Sequence, residues 1–305
     1  DIPLIDELEE LLGTIDLASA QKRRAEEQRE KEERERANEA LKATGLGGGI
    51  VTADMLMRQT QEAPSLRPLA ERARADRSWT YGHIVIDEAQ DLSPMAWRCL
   101  LRRCPSRSMT VVGDLDQKRG HRRPNSWKQA LGPAARAFSE EFVLSISYRT
   151  PRALTRIAQA VMAQHGTPVL YPMEAVRDVP DCYQVSHTHK DTLKECVAKV
   201  VSTMEERLNR EEGEGKGRIC VIVPDAQAQL WHADESGASA LDQRVSYLTA
   251  AGSKGLEFDS VVVVEPGAIL DQGSGDLFVA LTRATHDLHA VTTTQLPRGM
   301  EEWDA

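Results

Sequence analysis

The chain has 305 residues, 41% hydrophobic and 28% charged, a balance that fits ordinary globular domains with room for about two of them. Its formal net charge of −9 argues against a broad nucleic-acid-binding face and leaves room only for a local basic patch. No run approaches the ~18 apolar residues of a membrane helix, no signal-peptide pattern opens the chain, and Cys99, Cys104, Cys182, Cys196 and Cys220 form no CxxC pair or metal-ligand spacing, so reduced thiols in the cytoplasm are expected.

In chain order, "DIPLIDELEELLG" predicts a short amphipathic helix with Leu4, Ile5, Leu8, Leu11 and Leu12 as its apolar set. Residues 21–36 follow, in which 13 of 16 are charged and only Ala25 is weakly apolar, so a solvated helix is expected there. A glycine-rich break, "TGLGGGIVT" at 44–52, and a third helical pattern reach to about residue 75. Nothing in this stretch supplies a core, and 17–75 reads as a projecting insertion; a surface arm with no further role reads equally well.

Downstream, apolar runs that end in turn signals recur: "HIVID" at 83–87, "SMTVVGD" at 108–114, "FVLSIS" at 142–147, "RICVIVPD" at 218–225 and "SVVVVEP" at 260–266. Runs apolar on both faces suit parallel strands covered by helices. The stretches 150–166 and 190–210 carry helical stripes between them, the first with Pro151 near its start and Gly166 as its stop. The alternation predicts an α/β fold with two parallel sheets, dividing near residue 145 into a first domain from 1–16 with 76–145 and a second from 146–305.

Side chains and amides at the carboxyl ends of parallel strands converge on the crevice where ligands bind. Asp87 and Glu88 stand at such an end, and adjacent carboxylates there suit a magnesium–nucleotide site; acidic pairs at strand ends are also plain helix caps, and Asp91 before "LSP" fits that role. "VVGDLDQ" ends a second strand with Gly113, Asp114 and Gln117, and "SYRTP" a third with Tyr148 and Arg149. "SKGLEFD" brings Lys254, Gly255 and Glu257 before a buried strand, and "DLFVALTRATHDL" carries Arg283 on a predicted helix.

The ordered set "DEAQD", "GDLDQ", "SYRTP", "SKGLEFD" and "VALTRA" over about residues 80–292 resembles motifs II to VI of the superfamily 1 helicases of the UvrD/Rep type. "DIPLIDELEELLG", "VVVVEP" and "DLFVALTRATHDL" resemble the HelD branch, UvrD-like bacterial ATPases that bind RNA polymerase instead of unwinding duplexes. The resemblance implies two RecA-like domains, the first incomplete, with ATP or GTP and Mg²⁺ as cofactors. It implies that Asp87 coordinates Mg²⁺, with Glu88 in its second shell and activating the hydrolytic water. Gln117 would contact the γ-phosphate, Tyr148 would stack on the base, and Arg149 would reach the γ-phosphate from the second domain. Lys254 and Gly255 would line the nucleotide site with Glu257 near the ribose. Arg283 would be the arginine finger, a role worth about 10³-fold in rate. An insertion near 17–75 would enter the polymerase channel.

Three departures qualify that picture. No GxxxxGK[ST] phosphate loop occurs, so the chain is expected to be the carboxyl-terminal part of a longer protein and to be inactive alone. After Gln117 the segment "KRGHRRPNSWK" is basic, with Trp127 as its only aromatic, where the family has a base-stacking segment. Lys118, Arg119, Arg122, Arg123 and Trp127 are therefore candidates for nucleic-acid or partner contact, unless the loop is merely solvated. Ala251 stands where the family commonly has histidine. The segment after Gln117, Ala251 and the charged insertion favour an NTPase acting on core RNA polymerase over a single-stranded DNA translocase, and the intact set of acids and arginines disfavours a non-catalytic interaction module.

Overall fold

The computed structural model describes residues 2–12, 79–234, 236–237 and 242–301, with positions 28, 31, 68, 70 and 76. Almost all of the insertion expected at 17–75 lies outside these residues. Chain contacts define two compact units, residues 1–82 with 99–105, and residues 83–98 with 106–305.

In the first unit, helix α1 (Ile2–Leu12) forms where the apolar spacing predicts a helix. The face that it fastens is the acidic one. Glu7 is buried and takes the Arg102 guanidinium at 2.6 Å, and Asp6 binds the same group. Leu4, Ile5, Leu8, Leu11 and Leu12 are exposed. The apolar set therefore lies exposed, and the described contacts of this helix include the ion pairs of Asp6 and Glu7 with Arg102.

The second unit begins with strand β1 (Ile84–Ile86), followed by helix α2 (Pro94–Arg103), which ends in the first unit. Ser93 caps α2, accepting the Ala96 N–H at 3.1 Å, so Asp91 is not its cap. Strand β2 (Met109–Val111) pairs with β1 in parallel, and the short helix α3 (Trp127–Leu131) follows. The strand expected over 142–147 forms only as β3 (Ile146–Ser147), which pairs with β4 (Glu174–Ala175) across helix α4 (Arg152–Gln164). Phe142 and Leu144 are exposed and have no strand beside them among the described residues. An apolar run becomes a strand only where a neighbour meets its backbone groups.

The remaining elements build one parallel sheet. They are β5 (Tyr183–His187), α5 (Leu193–Glu211), β6 (Ile219–Val223), α6 (Ala228–Trp231), β7 (Val245–Thr249), β8 (Phe258–Val264), α7 (Pro266–Gln272), α8 (Ser274–Thr282) and β9 (Ala284–Thr292). The strand order is β5-β9-β8-β6-β7, with every pair parallel. Side chains alternate across it as strand geometry requires. Cys220, Ile222, Val261 and Val263 enter one core with α4, α7 and α8, while Ile219, Val221, Val262 and Val264 enter a second core with α5. Both faces are covered, which is why these strands read as unbroken apolar runs. The fold is α/β with parallel sheets, in keeping with RecA-like domains. No helix among the described residues is long and apolar enough to cross a membrane.

Candidate active site

The site lies in the second unit, in the loops after β1, β2, β3 and β7 and at the junction of α8 with β9. Asp87 is exposed and its Oδ1 accepts the Glu88 N–H at 2.9 Å. Glu88 is half-buried with φ 49°, in the left-handed region, and its Oε2 accepts the Gln90 side-chain N–H at 2.5 Å. Gln90, only 2% exposed, accepts the Asp114 N–H through Oε1 at 3.1 Å. One amide thereby ties the loop after β1 to the loop after β2. Gly113 makes room for it: a Cβ there would sit 2.3 Å from Gln90 Oε1 and 3.0 Å from the Trp127 ring.

Asp114 caps the turn Leu115–Gln117, accepting the Asp116 N–H through Oδ1 and the Gln117 Nε2–H through Oδ2, both at 2.9 Å. Holding Nε2 in this way leaves Gln117 Oε1 to accept, and it takes Arg283 Nη2 at 3.1 Å. Arg283 is 5% exposed, donates also to the Leu256 carbonyl at 3.4 Å, and keeps a buried Nε–H with no partner among the described residues. Burial first, and the neighbouring Arg149 charge second, push its pKa below the ordinary arginine value, while Glu88, Glu257 and Asp114 oppose the shift. Arg283 is the residue after α8, and the "ATHDL" that follows it is the start of β9. Arg283 closes the predicted helix as its C-cap, with φ −82° and ψ −21°, and β9 begins at the next residue.

Arg149 pairs with Glu257, both largely exposed, and Tyr148 is 69% exposed beside them. Lys254 is more deeply engaged: its Nζ donates to Asp91 Oδ2 and to the Gln117 carbonyl, each at 2.7 Å. Gly255 adopts φ +71° with open space around its Cβ position, so a left-handed turn and not crowding calls for glycine there. The structure thus brings Glu88, Gln90, Asp91, Asp114, Gln117, Lys254 and Arg283 into one bonded network. Arg149, Glu257 and Tyr148 form its exposed rim.

In the basic segment after Gln117, Arg119, Arg122 and Lys128 are exposed, while Lys118 and Arg123 are partly buried. Arg123 pairs with the buried Asp116 and donates to the Pro168 carbonyl at 2.9 Å. Arg119 pairs with Asp225 and lies 3.6 Å from Asp276, and Lys118 lies 3.9 Å from Asp91. Trp127 packs beside Gly113 and is half-buried; Arg122 is exposed. Asp276 and Asp116 are the residues that sequence reasoning passed over. Burial raises both carboxyls above their ordinary range, against the pull of Gly120 N–H and Arg119 on Asp276 and of Arg123 on Asp116.

No group of three or more His, Cys, Asp or Glu placed for a metal occurs among the described residues. A magnesium–nucleotide site does not need one, because Mg²⁺ is ordinarily held by one or two carboxylates with phosphate and water oxygens. The exposed Asp87, with its Oδ2 in no hydrogen bond among the described residues, and the adjacent Glu88 fit that donor set.

Residues 7–118 match the family model of the UvrD/REP helicase N-terminal domain, and residues 176–292 match that of the viral superfamily 1 RNA helicase core domain. The two matches support a superfamily 1 helicase family for this chain. Among solved structures, the helicase-like chain is similar to the arterivirus nonstructural protein 10 helicase, at 16% identity and TM-score 0.41, covering 74% of this chain and 42% of that one. The same viral helicase in complex with DNA gives 17% identity and TM-score 0.40, covering 70% and 40%. The C-terminal domain of a possible DNA helicase from Lactobacillus plantarum WCFS1 gives 16% identity and TM-score 0.33, covering 51% and 92%. This helicase-like chain spans about two fifths of the viral helicases it resembles. No curated protein matches it significantly.

Proposed function

We propose that the chain is the carboxyl-terminal part of a HelD-like NTP hydrolase, which uses hydrolysis to engage and release RNA polymerase. The phosphate-binding loop would come from sequence outside residues 1–305. The observation that carries the hydrolase reading is the Arg283–Gln117 contact beside Glu88. Donors fixed before the reaction and aimed at developing charge cost little reorganisation when it occurs. Glu88, oriented by Gln90, would accept a proton from the attacking water, and Arg283 would face the transferring phosphoryl group. Asp87 and Glu88 would hold Mg²⁺, which supplies charge neutralisation at the phosphates. The exposed Arg149–Glu257 pair is the kind worth only about 0–1 kcal/mol, so Arg149 can leave Glu257 for a phosphate at little cost. Tyr148 is free to meet a base.

The pairing of Arg123 and the packing of Trp127 support polymerase over single-stranded DNA as the partner. A translocase grips strands with stacked aromatics and a basic groove. Here Arg123 is taken up by the buried Asp116, and Trp127 packs on Gly113. Residues 17–75 are the proposed channel element. Core RNA polymerase is expected to retain the full-length protein in a pull-down, and to retain much less of a version lacking 17–75. Failure of the full-length protein to bind, or displacement of a strand from a tailed duplex, returns the assignment to a DNA motor.

A further inference from the structure

Helix α8 is fastened at both ends to the segment that carries Gln117. At its carboxyl end, Arg283 holds Gln117 Oε1 at 3.1 Å. At its amino end the backbones come unusually close. A Cβ on Gly275 would sit 2.1 Å from the Lys118 carbonyl oxygen and 3.1 Å from that of Asp116. A Cβ on Gly273 would sit 2.8 Å from the Gly120 carbonyl oxygen. These are backbone atoms and cannot swing aside as a side-chain tip can. Asp276 then closes the contact. It is 3% exposed, its Oδ2 accepts the Gly120 N–H at 3.2 Å, and Arg119 Nε lies 3.6 Å from its Oδ1.

The Asp116 and Lys118 carbonyls both lie against Gly275, so the backbone of Gln117 is held at the amino end of α8, and the Gln117 and Arg283 side chains bridge to its carboxyl end. Sliding of either element breaks one of these contacts. The bond from the buried Asp276 carboxylate to the Gly120 N–H is charge-assisted, and Arg119 adds a looser ion pair at 3.6 Å. We propose that Asp276, seated by Gly273 and Gly275, is a positioning residue that sets the register of Gln117 against Arg283. It acts through the loop, by its contacts with Gly120 and Arg119. The inference rests on the NTPase reading and adds to it a role for the contact of Arg119 and Gly120 with α8.

The test is steady-state NTP turnover by the full-length protein. D276A is expected to lower kcat about tenfold while KM stays within about twofold, because positioning is felt in the transition state and not in binding. D276N is expected to fall between, since its amide oxygen still accepts from Gly120 but gives Arg119 no charge. R119A, a change at a half-exposed side chain that removes only the ion pair, gives a smaller kcat loss and carries the test should D276A not fold. In a Q117A background, D276A is expected to add almost nothing, since residues acting through one contact are non-additive. A lowered thermal midpoint with unchanged kcat, or losses that multiply independently of Gln117, overturns the inference and leaves the NTPase reading standing. No turnover by the unaltered full-length protein overturns both.

Discussion

Asp116 shows how two effects compete at a single residue. Burial is the largest influence on its carboxyl and raises it from the ordinary 3.8, Asp114 adds to that, and Arg123 with the Leu170 and Tyr171 amides pulls the other way. With burial ahead, the folded chain holds this proton more tightly than the unfolded chain does. Between 3.8 and the raised value the folded state carries more protons, so the contribution of this group to stability is fully present below 3.8 and is lost as pH climbs through that window. Asn does not titrate. The stability of the native sequence relative to Asp116→Asn should therefore be greatest below 3.8 and decline above it, measured by denaturant unfolding at stepped pH. A rise with pH instead would mean that Arg123 dominates. Nothing in "GDLDQ" tells which of its two aspartates is buried, because the partners lie far along the chain: Leu170 is 54 residues away.

Among elements, legibility in the sequence follows coverage. The runs "CVIV" and "VVVV" announce β6 and β8 because helices lie on both faces of the sheet, and an apolar residue is then wanted at every position. The run at 142–147 has the same composition and forms two residues of strand, since composition does not say whether a neighbour will be there. The helix–strand corner at Arg283 was illegible for a related reason: "TRATHDL" suits either period. Core positions on the well-read strands should show it energetically. Ile222→Ala, at a fully buried site, is expected to cost about 2–5 kcal/mol in denaturant unfolding. Leu230→Ala, at a site 58% exposed, is expected to stay within about 0.5 kcal/mol. Equal effects would mean that the sheet is not the cooperative core.

For the whole molecule, the ordered motifs could be read because each is a short local string. The network that joins them could not. Gly120 and Asp276 are 156 residues apart, and Arg283 and Gln117 are 166 apart. The helicase match and the absence of GxxxxGK[ST] together make a simple expectation. Residues 1–305 alone should hydrolyse ATP at a negligible rate, and the full-length protein should turn over normally, compared in one phosphate-release assay. Comparable rates would show that the phosphates are held by something within this chain.

The left-handed backbone at Glu88 has a further consequence. A side chain other than glycine in that conformation holds stored strain of about 1–2 kcal/mol, here at the residue proposed to activate the attacking water. Fitness for chemistry and fitness for folding therefore pull in opposite directions at this one position. Glu88→Ala and Glu88→Gly both discard the carboxylate, yet only glycine relaxes the backbone, so the glycine variant should melt higher than the alanine one by a differential-scanning measurement. If the proposed hydrolysis holds, the protein would be most at ease in a form that can no longer carry it out.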